Sequence, residues 1–298
     1  MKLVEQSFEI IPQEAGIEGI YKQIEKAGRT CYKSEDKITE NSAKKFVDML
    51  TTNCHGAMLE HGTVYFKIPT NIDTAGNFLD EVSTWTKCKL VESSEGNWWA
   101  ITTNFRVMIE HFAPEYIEEL IEKYLCEPTE YHEKRITVKF TTDQGVLREF
   151  TRHRTMSFAC ESTRYCNYSK DKFGKEITYI IPCWLKDFPE GNYSSPVFDD
   201  DSLEICSKFK EMYPEITSFV KSLADSEFNY LWLLDQGWKP QEARNVLPLA
   251  TKCDLVMTGF VSDWKHFFEL RCDSAAHPQA RELAIPLQDW FKENNLID

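Results

Sequence analysis

Positive charge is scarce in this sequence. Lys and Arg number 34 against 48 Asp and Glu, a formal net charge of −14. That balance argues against broad association with nucleic acid, whose affinity comes from cations laid along phosphates. No run of 18 apolar residues occurs, so no membrane span is expected. Acids interrupt the N-terminal MKLVEQSFEIIPQEAG before it reaches the apolar length of a secretory signal, so none is expected there. The ten cysteines form no CxxC pair, and a chain of 298 residues does not need disulfide staples. Reduced thiols in a cytoplasmic protein are the expected state. There is no GxGxxG, GxxxxGK[ST] or Gly-x-Ser-x-Gly segment, which excludes a Rossmann dinucleotide site, a P-loop and a nucleophile elbow. Internal repeats and low-complexity linkers are also lacking.

What remains is an aromatic-rich globular composition, with 19 Phe, 12 Tyr and 8 Trp. Apolar spacing predicts helices over 14–27, 41–51 and 114–125. Strands are predicted over TVYFKIP (63–69) and RITVKFTTD (135–143). NWWAITTNFRVMIEHF (97–112) is strand-like at its start and ambiguous after it. Asp143 is a plausible N-cap for a helix through DQGVLREF. The last third reads as mostly helical: 203–237 broken near Pro214, a short turn at 240–248, 262–271 with Ser262 as cap, and 278–294 kinked at Pro286. The acidic FDDDSLE (198–204) reads as an exposed loop and helix start. Strands in the middle and helices around them suggest an α+β class. The expected architecture is a central antiparallel sheet flanked by helices in a single-domain protomer over 1–298, with 70–134 as an insertion.

Against the acidic background, four of ten arginines fall between 148 and 164: Arg148, Arg152, Arg154 and Arg164. Arg148 and Arg152 are i,i+4 neighbours on the predicted helix, a repulsive arrangement. Cations at a helix C-terminus account for that alone. The following Ser162-Thr163-Arg164 adds two hydroxyls and a fork-shaped cation, the donor set a phosphate prefers. Arg271 falls on the apolar face set by Trp264, Phe267 and Phe268. It reads either as a snorkelling side chain or as a charge aimed into a pocket. Arg244, in EARNVLP, reads as a surface residue on sequence alone. His55 and His61 flank a Glu, but His-x5-His fits no common zinc geometry, so no metal is expected.

Arg152-His153-Arg154, seven residues, then Ser162 resembles the RHRx7S signature of the flavin-dependent thymidylate synthase family. STRYCNYS, EARNVLP, FFELRCDSAAHPQARELA, NCHGAMLEHGTVYFKI and AGRTCYKS resemble other family segments in the same order. The resemblance implies an α+β homotetramer with active sites shared between subunits. It implies bound FAD and reductive methylation of dUMP to dTMP, with methylenetetrahydrofolate as carbon donor and NADPH as reductant. By the same resemblance, Ser162, Thr163, Arg164 and Arg244 hold the dUMP phosphate, and Glu149 and Arg152 contact the nucleotide. Arg271 engages the uracil ring and favours its deprotonated form. Arg152, His153, Arg154, Ser262 and His266 face FAD, joined by His55 and Ala57, which another subunit can supply. No cysteine nucleophile is implied, and the flavin carries the redox chemistry. Two positions depart from the family pattern. Cys160 stands where many members have a Glu, with Glu161 after it, and Cys31 stands where a Ser is frequent. Two other readings remain: an inactive nucleotide-binding relative, and a nucleic-acid-binding module built on the arginine cluster.

Overall fold

The computed structural model describes residues 1–70, 87–185, 188–193 and 214–298. The acidic stretch 198–204 and the helix expected upstream of Pro214 lie outside the described residues. In chain order come β1 (Lys2–Val4), β2 (Ser7–Ile10), α1 (Gly16–Tyr32), α2 (Ala43–Thr52), α3 (Gly56–Leu59) and β3 (Thr63–Pro69). Then follow β4 (Lys89–Glu92), β5 (Trp98–Asn104), α4 (Phe105–His111), α5 (Pro114–Tyr124), β6 (Arg135–Asp143), α6 (Gln144–Phe150) and β7 (Ser157–Cys160). The chain closes with β8 (Thr178–Ile180), β9 (Gly191–Asn192), α7 (Pro214–Asp235), α8 (Pro240–Ala243), β10 (Lys252–Phe260), α9 (Val261–Arg271) and α10 (Pro278–Glu293).

The central sheet is antiparallel, in the order β2-β6-β10-β7, as the α+β reading expected. β6 and β10 pair along their whole length, from Lys252↔Asp143 to Phe260↔Arg135. β10 was not expected, because KCDLVMTGF lacks the alternation that marks a half-buried strand. The structure supplies the reason: both faces are covered. Leu255 and Met257 pack with Phe140, Phe150, Trp264, Phe267, Phe268 and Phe291 on one side. Val256 packs with Ala27 of α1 and Ala159 on the other. A strand buried on both faces reads as a continuous apolar run.

A second sheet, β3-β5-β4, draws β4 and β5 from the segment expected to be an insertion. β5 pairs with β3 from Thr63↔Asn104 to Pro69↔Trp98, and with β4 in a hairpin. Its apolar face joins α1, α2 and α5 in one core with Ile24, Leu50, Phe66, Ile101 and Leu120. A small third sheet, β8-β1-β9, ties the N-terminus to the middle of the chain.

Three strands run straight into helices. At β5–α4 the Asn104 side chain accepts the Val107 N–H at 3.2 Å. At β6–α6 Asp143 accepts the Val146 N–H at 2.7 Å, the cap the sequence predicted. At β10–α9 the expectation fails. Phe260, the last strand residue, occupies the cap position, and the Asp263 carboxylate accepts its N–H at 3.0 Å. Ser262 lies inside the first turn, where its own N–H donates to Glu133 at 2.8 Å. Among the described residues no helix is long and apolar enough to cross a membrane.

Candidate active site

α6 carries the site because of what holds it. Asp143 caps its start and also accepts from Gln279 of α10 at 2.9 Å. Val146 and Phe150 bury its apolar stripe against β6 and β10. Arg148 and Glu149 then project from adjacent positions, about 100° apart around the helix axis. They serve two different neighbourhoods.

On the Arg148 side is a cavity of about 390 Å³. It is lined by Gln144, Arg148, Thr163, Arg244 and Asn245, together with Leu247, Pro248, Leu249 and Thr251. Arg244 donates from one terminal nitrogen to Thr163 Oγ1 at 3.2 Å across 81 residues of sequence. Arg244 is exposed, as its surface reading expected, and it also lines this cavity. Arg148, noted in the sequence only as part of a charge cluster, lines this cavity. The clue was its repulsive spacing from Arg152. Arg164 lies outside the lining. Its Nε donates to Gln241 at 3.4 Å, and its guanidinium sits 5.1 Å from the centre of the Tyr165 ring. Ser162 contributes backbone order to the turn: its N–H donates to the Cys31 carbonyl at 3.0 Å, and its carbonyl accepts from Tyr165 and Cys166.

On the Glu149 side, Arg271 is held at the end of α9. One terminal nitrogen donates to the Glu149 carboxylate and the other to the Glu149 backbone carbonyl, each at 2.7 Å. Nε donates to His153 Nε2 at 3.1 Å. An accepting Nε2 places the His153 proton on Nδ1. Burial, with Arg271 and His266 adding like charge, lowers the His153 pKa to about 4, so the ring is neutral at physiological pH. His153 packs 5.0 Å from the Phe267 ring and 6.0 Å from the exposed His266 ring. Arg152 and Arg154 flank it and are exposed.

His55 and Ala57, both exposed, sit elsewhere in the chain, at the start of α3. His55 Nδ1 lies 3.4 Å from the Tyr32 hydroxyl, and the Tyr32 ring packs, tilted, 5.7 Å from the Tyr165 ring. The structure thus joins His55 to the 162–165 turn, while His153 and His266 meet at α6 and α9. No hydrogen bond, ion pair or ring contact joins these two groups among the described residues.

Carboxylates pair with Arg29, Arg106 and Arg271. The other seven, Arg135, Arg148, Arg152, Arg154, Arg164, Arg244 and Arg281, have no carboxylate within ion-pair distance among the described residues, although the chain carries 48 acids. Five of these cations lie at the end of α6, in the 162–165 turn and just after α8, and unpaired cations of this kind suit an anion. The thiols do not offer a nucleophile here. Burial pushes Cys31 up to about 11, and Cys160 and Cys166 up to about 12.

Residues 89–294 match the family model described as thymidylate synthase complementing protein. The flavin-dependent thymidylate synthase of Synechocystis sp. is 26% identical over 162 residues, covering 53% of this chain and 66% of the relative. The probable flavin-dependent thymidylate synthase of Mycobacterium phage D29 is 29% identical over 163 residues, covering 53% of this chain and 60% of the relative. The match spans less than two thirds of the length of each of these curated relatives. A solved UMP/dUMP methylase, PolB from Streptomyces cacaoi, aligns over 98% of this chain and 93% of its own at 18% identity, with a TM-score of 0.42. With a family match over more than half its length, this chain belongs to the thymidylate synthase complementing protein family.

Proposed function

We propose that this chain converts dUMP to dTMP as a cytoplasmic, flavin-dependent thymidylate synthase. FAD is the redox cofactor, methylenetetrahydrofolate the carbon donor and NADPH the reductant, in a homotetramer with sites shared between subunits. The observation that carries the reading is the cavity where Arg148 and Arg244 meet Thr163, both arginines without carboxylate partners among the described residues of an acidic chain. A nucleotide phosphate bears nearly two negative charges near neutral pH, and such a site compensates them locally.

In this reading the phosphate enters the cavity between Arg148, Thr163 and Arg244, with Ser162 and Arg164 at its rim. Arg271 meets the uracil ring. A guanidinium has five N–H donors, and three are used on Glu149 and His153. The others can reach the O2 and N3 edge, where a fixed positive charge favours the deprotonated ring and makes C5 nucleophilic. Glu149 and the neutral His153 keep that guanidinium aimed, and Arg152 borders the nucleotide.

The donors present fit FAD. Among the described residues Arg152 and Arg154 are exposed cations without carboxylate partners, suited to a diphosphate, and His153 and His266 offer rings beside them. Ser262 stands at the start of the same helix as His266, and His55 with Ala57 completes the cofactor side from a neighbouring subunit. When bound, the flavin supplies the electron transfer that these side chains lack. The purified protein should be yellow and release flavin on denaturation. It should then show dUMP-dependent NADPH oxidation and release tritium from C5-labelled dUMP when folate is present. A colourless protein that FAD cannot reconstitute defeats the proposal. Binding of dUMP without turnover points to the inactive relative instead.

A further inference from the structure

We infer that Glu161 and Tyr168 are positioning residues that clamp the 162–165 turn at both ends, an inference that rests on the anion-binding reading of that turn. Glu161 immediately precedes the turn and is buried. Its Oε1 accepts from the Tyr168 hydroxyl at 2.8 Å. Its Oε2 accepts from Lys252 Nζ at 2.9 Å and from the Asp254 backbone N–H at 3.2 Å. The backbone N–H of Glu161 donates to the Asp254 carbonyl at 2.7 Å. Tyr168 follows the turn, so one carboxylate joins both bases of the loop and fastens them to the central strand β10.

The side-chain direction follows from the strand. Cys160 ends β7 and packs with the aromatic core, whereas Ala159 packs on the α1 side. Alternation along an extended chain sends Glu161 to the Ala159 side, toward the end of α1. There Lys33 stands 3.7 Å from its carboxylate, and Lys33 and Lys252 also pair with Asp254. A buried carboxylate persists only with such compensation. Burial alone would lower the Lys33 pKa, but Glu161 and Asp254 outweigh it and raise the pKa, keeping the lysine charged.

The turn itself has no regular secondary structure to fix it, yet Thr163 must meet Arg244 across the cavity. A cradle ordered before the ligand arrives avoids the cost of ordering on binding. The clamp therefore acts on affinity for the phosphate, through Thr163, rather than on the chemical step.

The test compares wild type with Tyr168→Phe, Glu161→Gln and Glu161→Ala. Hydrogen exchange of amides 162–168 is measured in the unliganded protein, and KM and kcat are measured with dUMP. Tyr168→Phe removes one tether without changing charge. Glu161→Gln keeps an acceptor that Glu161→Ala lacks, so it should restore part of what Ala loses. Tyr168→Phe should speed exchange in 162–168 about tenfold relative to the rest of the chain, and raise the dUMP KM about tenfold with kcat within about twofold. Unchanged exchange in Tyr168→Phe, or a fall in kcat at constant KM, overturns the clamp. If wild type shows no dUMP-dependent turnover, the proposed function fails, and the exchange arm still decides whether the clamp exists.

Discussion

Arg271 grips Glu149 twice, through its carboxylate and through its backbone carbonyl, each at 2.7 Å. The pair joins the end of α9 to α6, and only 15% of the Arg271 side chain is exposed. A charge held at three points and mostly out of water is suited to acting on a ligand without moving. Arg271→Ala should lower kcat by about 100-fold or more while flavin content stays near wild type. Turnover near normal, with flavin absorbance unchanged, removes Arg271 from the uracil site.

Arg148 and Arg244 line the cavity that takes the phosphate in the proposed function, and Arg164 stands beside it on Gln241 and Tyr165. Arg244→Ala and Arg148→Ala should each raise the dUMP KM about 10- to 100-fold, because a charge-assisted contact is lost. Arg164→Ala separates the two sources of expectation. A large KM effect supports the family resemblance at this position. A small one assigns the phosphate to the cavity-lining pair.

Two histidines should couple stability to acid. Burial, with Arg135 adding to it, depresses the His61 pKa to about 3, and burial with Arg271 and His266 depresses that of His153 to about 4. Both values lie below the unfolded value of about 6.5, so between these limits the unfolded chain binds more protons. Stability should therefore fall as pH drops from about 6.5 toward 4. Urea midpoints at stepped pH read the slope, which His153→Gln should flatten. His153 should add no limb to the pH–rate profile between about pH 5 and 8.

Asp143 caps α6 and receives Gln279, so it links helix stability to the site. Asp143→Ala should cost about 1–2 kcal/mol of stability. It should also raise the dUMP KM, because Arg148 sits on the helix it caps. Thermal denaturation alongside KM checks both. A stability loss with unchanged KM detaches the cap from the site.

Some elements were legible because local chemistry set them. β3 and β6 match the stretches read as strands, TVYFKIP and RITVKFTTD, and Asp143 caps as expected. β10 was hidden by its burial on two faces. Ser262 looked like a cap because a polar residue preceded an apolar helix, but the turn from β10 puts Phe260 there instead. Arg244 is the surface residue the sequence suggested, but nothing near it in sequence signals its contact with Thr163.

The sequence alone determined that an acidic chain keeps its arginines together, with hydroxyls close after them. Residue type and short spacing were enough for that. Only the tertiary structure decided which arginines stay without carboxylates among the described residues, and that Arg271 is held by Glu149 and His153. It also decided that Glu161 turns inward beneath the turn. Those outcomes depend on contacts spanning from 81 to 122 residues of chain, set by how α6, α8 and α9 pack at the ends of one sheet.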